Sequence, residues 1–126
     1  MAVDKIFAAA GAASAFIAVA AGAFAAHTLR SRLSPELLVT FETGARYQMY
    51  HALAMLLVAW ASSRWPGGAL QFAGWAFAVG TILFCGSLYI LALTGLRWVG
   101  AITPIGGAAF LLGWLAFAWG AWKQGT

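Results

Sequence analysis

Charge is what this sequence has least of. Of 126 residues, seven are Lys or Arg and three are Asp or Glu. All ten stand outside four stretches, residues 6–29, 47–63, 65–96 and 98–122. With no acid inside any stretch, there is no intramembrane carboxylate for a proton or ion path, and His51 alone would have to serve. Cysteine is nearly absent too. Cys85 stands alone, so no intramolecular disulfide can form, and no CxxC, HxxxH or HExxH spacing supports a metal or a haem. Gly86-Ser87 lacks the GxSxG setting of a serine nucleophile. The basic residues are scattered one or two per loop, which is not a nucleic-acid patch. No metal, cofactor, nucleic acid or catalytic activity is therefore expected.

What remains is apolar. Hydrophobic residues make up 63% of the chain and charged ones 8%, against soluble averages of about 45–50% and about 25%. A soluble domain of this size could not hide so much apolar surface. A bilayer core of about 30 Å takes roughly 20 apolar residues per spanning helix. The sequence therefore predicts an all-α, four-helix, up-down transmembrane bundle with short loops, one integral membrane domain over residues 1–126. Lys5, the apolar run and Ala23-Phe24-Ala25 resemble a signal peptide, but the run exceeds a typical h-region and Asp4 weakens the positive start. The first segment is expected to stay as a helix.

Local signals set the ends. The spans are expected at about 6–26, 45–63, 69–93 and 104–122. Asp4 would cap the first. Ser34-Pro35-Glu36 supplies an N-cap oxygen, a proline at N1 and an acid at the positive dipole end. Helix 2 should thus begin three turns before its span, with Glu42 and Arg46 spaced for an i,i+4 ion pair. Trp65-Pro66-Gly67-Gly68 is a turn, Thr94-Gly95 a stop, and Thr103-Pro104 repeats the cap-plus-proline signal. Trp60, Trp65, Trp98, Trp119 and Trp122 lie near segment ends, as an interfacial belt would. Gly11, Ala15, Ala18, Gly22 and Ala25 draw one small-residue stripe, and Gly106, Gly113 and Gly120, with Phe110 and Phe117 between them, draw another. Both read as packing seams. Phe72, Trp75, Phe77 and Trp114 are expected on apolar faces open to lipid or to another subunit. Basic residues divide three against four between the two sides, so orientation stays open.

Polar residues gather in one half. Thr43, Tyr47 and His51 stack at i, i+4 and i+8, Gln48 flanks them, and His27, Ser87, Tyr89 and Thr103 come from helix ends on the same side. Two readings stand side by side. Such groups hydrogen-bond across membrane helices simply to satisfy one another, or they form a binding site around His51. A dry, fully bonded cluster favours the first, and a cavity lined by Tyr47, Gln48 and Ser87 the second.

Four ordered segments carry a resemblance: residues 22–27 (GAFAAH), 47–54 (YQMYHALA), 83–95 (LFCGSLYILALTG) and 102–107 (ITPIGG). Together they resemble the YgdD/YwdK-like family of small inner-membrane proteins, transmembrane protein 256-like and of unknown function. Ala25 and Cys85 depart from the family pattern, which has Gly and Ser there. The resemblance implies a multi-pass protein of the cell inner membrane and no particular reaction. The expected function is non-enzymatic, stabilising the membrane or serving a larger membrane complex, with the lipid bilayer and such a complex or a second copy as partners. The alternative is a small transporter or a ligand- or lipid-binding protein using the polar cluster.

Overall fold

The computed structural model describes residues 2–124. Among them every regular element is helical. Helix α1 spans Ala2–His27, with Asp4 inside its first turn, where a carboxylate suits the positive helix end. A 3₁₀ turn, Leu29–Ser31, leads to Ser34, whose Oγ accepts from the Leu37 N–H at 3.3 Å and starts α2, Pro35–Arg64. Helix α3 runs Gly68–Thr94. Gly95, at φ 74°, closes it in the left-handed conformation that glycine adopts without a Cβ clash. A second 3₁₀ turn, Arg97–Ala101, precedes α4, Thr103–Trp122.

Two local expectations are corrected. The N-cap of α4 is Ile102, and Thr103 lies inside the helix with its hydroxyl turned to α3. Within α3, residues Thr81–Cys85 form a π turn that no breaker in that stretch announces. There Gly86 N–H reaches back to the Thr81 carbonyl, five residues away.

The four stretches are not equivalent either. Among the described residues, three helical segments are long and apolar enough to cross a membrane: Val3–Ser31, Gly68–Thr94 and Arg97–Trp122. Helix α2 falls short by composition, because Tyr47, Gln48, Tyr50 and His51 dilute its charge-free part. It is compensated by position. Helix α2 packs on both α1 and α3, while α4 packs chiefly on α3. Gln48 and His51 are each only 5% exposed, so the most polar helix turns those groups inward.

Glycine decides how closely the helices approach. On α4, Gly106 lies against the backbone of Phe84, Gly113 against the ring of Phe77 and Gly120 against Leu70. Gly80 of α3 answers against Phe110. These pairs run in opposite sequence directions, so α3 and α4 are antiparallel. Gly11 against the Ala52 carbonyl and Phe24 beside Phe41 show the same for α1 and α2. The α1 seam is Phe7, Gly11, Ser14, Ala18 and Ala25, and Ala15 and Gly22 are only half-buried. Ser14 displaces Ala15 because a polar partner faces it. Phe7, Met55, Val58, Ala73, Phe77, Cys85 and Phe110 fill the core. Phe77 is therefore fully buried, not lipid-facing as its sequence position suggested.

Candidate polar site and groove

The polar residues resolve into three separate knots, each tying different helices. In the first, Gln48 Nε2 donates to the Ser14 carbonyl at 3.2 Å and to Ser14 Oγ at 3.1 Å. Its Oε1 accepts from the Tyr89 hydroxyl at 2.6 Å. One buried amide thus joins α1, α2 and α3. Tyr89 reaches it by crossing Gly44, where an added Cβ would come within 2.9 Å of the ring.

His51 centres the second knot. Its Nε2 lies 3.0 Å from Trp114 Nε1 and its Nδ1 lies 2.9 Å from the Tyr47 carbonyl. Indole N–H only donates and a carbonyl only accepts. Nε2 must therefore be the bare acceptor and Nδ1 the protonated donor, which defines a neutral ring in one tautomer. That ring stacks on Phe110 at 3.5 Å and 6°. In the third knot, Ser87 Oγ donates to the Phe84 carbonyl at 3.0 Å. Its single proton is then used, so the 2.5 Å bond to Thr103 runs from the Thr103 hydroxyl to Ser87, linking α4 to α3.

The remaining expected residues lie elsewhere. His27 is exposed near the end of α1. The Thr43 hydroxyl donates to its own helix at the Val39 carbonyl, 2.8 Å away. Tyr47 contributes its carbonyl to His51, while its ring rests on Phe84 and Tyr50. Glu42 and Arg46 line one shallow groove with Ala18, Gly22 and Ala45, but form no ion pair with each other. Such a surface pair gains a few tenths of a kcal/mol, too little to hold two long side chains still.

Sequence reasoning missed two participants. Ser14 is the one hydroxyl amid the alanines and glycines of residues 6–26, and a lone polar residue at that depth needs a partner. Trp114 sits mid-helix, away from the belt at the ends. That placement is the signal that its N–H has a use inside the protein.

Beside His51 lies a groove of about 690 Å³, open on one side. Tyr47, Tyr50, His51 and Phe84 line it from α2 and α3, and Pro104, Gly107, Ala108, Phe110, Leu111 and Trp114 from α4. Its size is that of a small-molecule site, about 300–1,000 Å³. Gln48 and Ser87 do not line it, since both are spent in knots. The wall is apolar but for two tyrosines and the edge of a histidine, so it suits an apolar chain.

The chain matches the model of a family described as a protein of unknown function, DUF423, over residues 21–107. That stretch contains every expected site residue from His27 to Thr103, and neither Ser14 nor Trp114. Among curated proteins, the UPF0382 membrane protein YwdK of Bacillus subtilis is 43% identical over 91 residues, covering 71% of this chain and 74% of YwdK. A UPF0382 membrane protein of Haemophilus influenzae is 44% identical over 112 residues, 88% of this chain and 89% of its own length. The UPF0382 inner membrane protein YgdD of Escherichia coli is 43% identical over 83 residues, 66% of this chain and 63% of its own. No solved structure matches.

Proposed function

Since the chain belongs to the DUF423, or UPF0382, family of membrane proteins, we propose that it is a four-span, up-down bundle of the inner membrane with a non-enzymatic role. In this reading it stabilises the bilayer or serves as an accessory subunit of a larger membrane complex. The observation that carries it is the pairing of the buried polar side chains: Gln48, His51, Ser87 and Thr103 all spend their hydrogen bonds on one another, on Ser14, Tyr89 and Trp114, or on backbone carbonyls. A site built for catalysis keeps a donor or acceptor free for its substrate. In these knots each buried polar side chain already has a partner inside the protein.

The fourth span is α2. Polar groups in a spanning helix are tolerated when neighbouring helices satisfy them, and α2 is satisfied from α1, α3 and α4 alike. Its remaining faces carry Leu53, Leu57 and Trp60, each about half exposed. Topology is tested in a Cys85→Ala background with single cysteines at Arg32, Pro66, Trp98 and Lys123, labelled by an impermeant thiol reagent on intact and opened cells. Positions 32 and 98 should label from one side and 66 and 123 from the other. Positions 32 and 66 labelling together would remove α2 as a span. The accessory role is tested by gentle purification and mass spectrometry of what co-migrates. A stoichiometric protein partner is the expected result, and a chain that always migrates alone would end the subunit reading.

The groove favours a second reading, lipid binding, because it is apolar, open to one side and long enough for a chain.

A further inference from the structure

We propose that the groove between α2 and α4 holds one acyl chain of an anionic phospholipid, whose phosphate sits at Arg46. This rests on the four-span arrangement and the lipid-binding reading proposed above, and names the ligand. Length is the first argument. Along α4 the lining runs from Pro104, at the helix start, to Trp114. Ten residues at about 1.5 Å each give about 15 Å, half of a bilayer core of about 30 Å. The groove is therefore one leaflet deep. It ends where Trp114 is tied to His51 by a 3.0 Å bond, which closes it at mid-membrane.

Polarity along the groove is the second. Leu111 and Phe110 line the deep part, while Tyr47, whose ring rests on Phe84 beside Gly106 near the start of α4, lines the end toward the surface. A fully apolar occupant would have no use for that gradient, and an amphiphile matches it. The third argument is charge. Arg46 is exposed one turn before Tyr50 and nearer the surface, bordering the adjoining α1–α2 groove and within reach of this one. Glu42, a turn further out, does not neutralise it by an ion pair. Both loops at this end are basic: Arg30 and Arg32 lie between α1 and α2, and Arg97 between α3 and α4, lining a surface hollow with Ser34 and Glu36. Four arginines against two glutamates make this the anion-attracting end of the molecule.

The test is native mass spectrometry of the full chain from nanodiscs of equal phosphatidylcholine and phosphatidylglycerol. One retained phosphatidylglycerol per chain is expected, favoured about fivefold over phosphatidylcholine, the ratio one basic side chain supplies at an anionic surface. Gly107→Phe should abolish retention of either lipid, since a side chain there meets Phe84 only at ordinary contact distance and otherwise fills the groove. Ala108→Leu fills the exposed wall without touching a buried seam and guards against misfolding of the first variant. Arg46→Gln should keep the lipid but lose the preference. Undiminished retention in both filled variants would overturn the site. Equal retention of the two lipids by the unaltered chain, or an Arg46→Gln variant with unchanged preference, would overturn the headgroup assignment. The thiol-labelling pattern is read on the same preparations: a correct pattern without lipid sinks this inference alone, and a wrong pattern sinks the four-span reading.

Discussion

The two ends of this molecule are held by different forces. At the end that carries the basic loops, hydrogen bonds between named side chains tie helix to helix through Gln48, His51 and Ser87. Toward the other end, contacts are apolar: Phe7 lies over Gly74 and Leu70 over Gly120. Packing against glycine sets how close two helices come. Hydrogen bonds set how each is rotated and shifted, because a bond fails when its partner turns away. In lipid neither job is done by the hydrophobic effect, which does not distinguish a leucine from an acyl chain.

The comparison breaks most severely at the glycines. Gly106→Leu would drive a side chain into the Phe84 backbone, which cannot swing aside, and is expected to cost upward of about 3 kcal/mol. Loss of folded protein in detergent would report it. Gly113→Leu meets the Phe77 ring and the Ala76 methyl but no backbone among its nearest neighbours, and should lower the melting temperature by less. Unchanged melting in either variant would remove the glycine seam as a determinant. Next comes His51→Ala, which deletes a stacked ring and the Trp114 bond together. About 2–4 kcal/mol is expected, as for other large-to-small core changes, whereas exposed His27→Ala should leave stability unaltered. Equal effects of the two would deny His51 its place in the frame. Gln48→Leu leaves two hydroxyls without their partner, at about 1–3 kcal/mol, readable as a shifted unfolding midpoint that Ser14→Ala partly reproduces. The smallest effect is at the surface. Glu42→Gln should change stability by less than about 0.5 kcal/mol, and a larger loss would mean that the pair with Arg46 forms in the membrane.

The sequence reveals what depends on neighbours in the chain. Ser34-Pro35 opens α2, Gly95 closes α3, and Gly106, Gly113 and Gly120 form a seam, because caps, proline and small residues act locally. The polar residues could be placed in one half of the bundle for the same reason. How they pair could not. That Gln48 selects Ser14 over the adjacent Ala15 stripe, that His51 finds Trp114 across 63 positions, and that Thr103 leaves its cap for Ser87 are all decided by the facing helix. The groove was invisible as well, since it is the space left between Tyr50 on one helix and Leu111 on another. Thr81–Cys85 gave no sign because no proline or glycine stands within it, though Phe84, inside the turn, is where α3 meets Gly106.

That π turn has a further consequence for how the chain tolerates changes of length. It holds one residue more than an α-helix needs for the same rise and rotation, so α3 carries slack at one place. Ile82, exposed there, contributes nothing to the core. Losing one residue within Thr81–Cys85 would restore regular helix while leaving the faces on either side in phase, Phe77 still toward α4 and Tyr89 still toward Gln48. The same loss inside α1 or α4 would swing everything beyond it by about 100°. Among relatives of unequal length, a gap in this part of the chain belongs at residues 81–85.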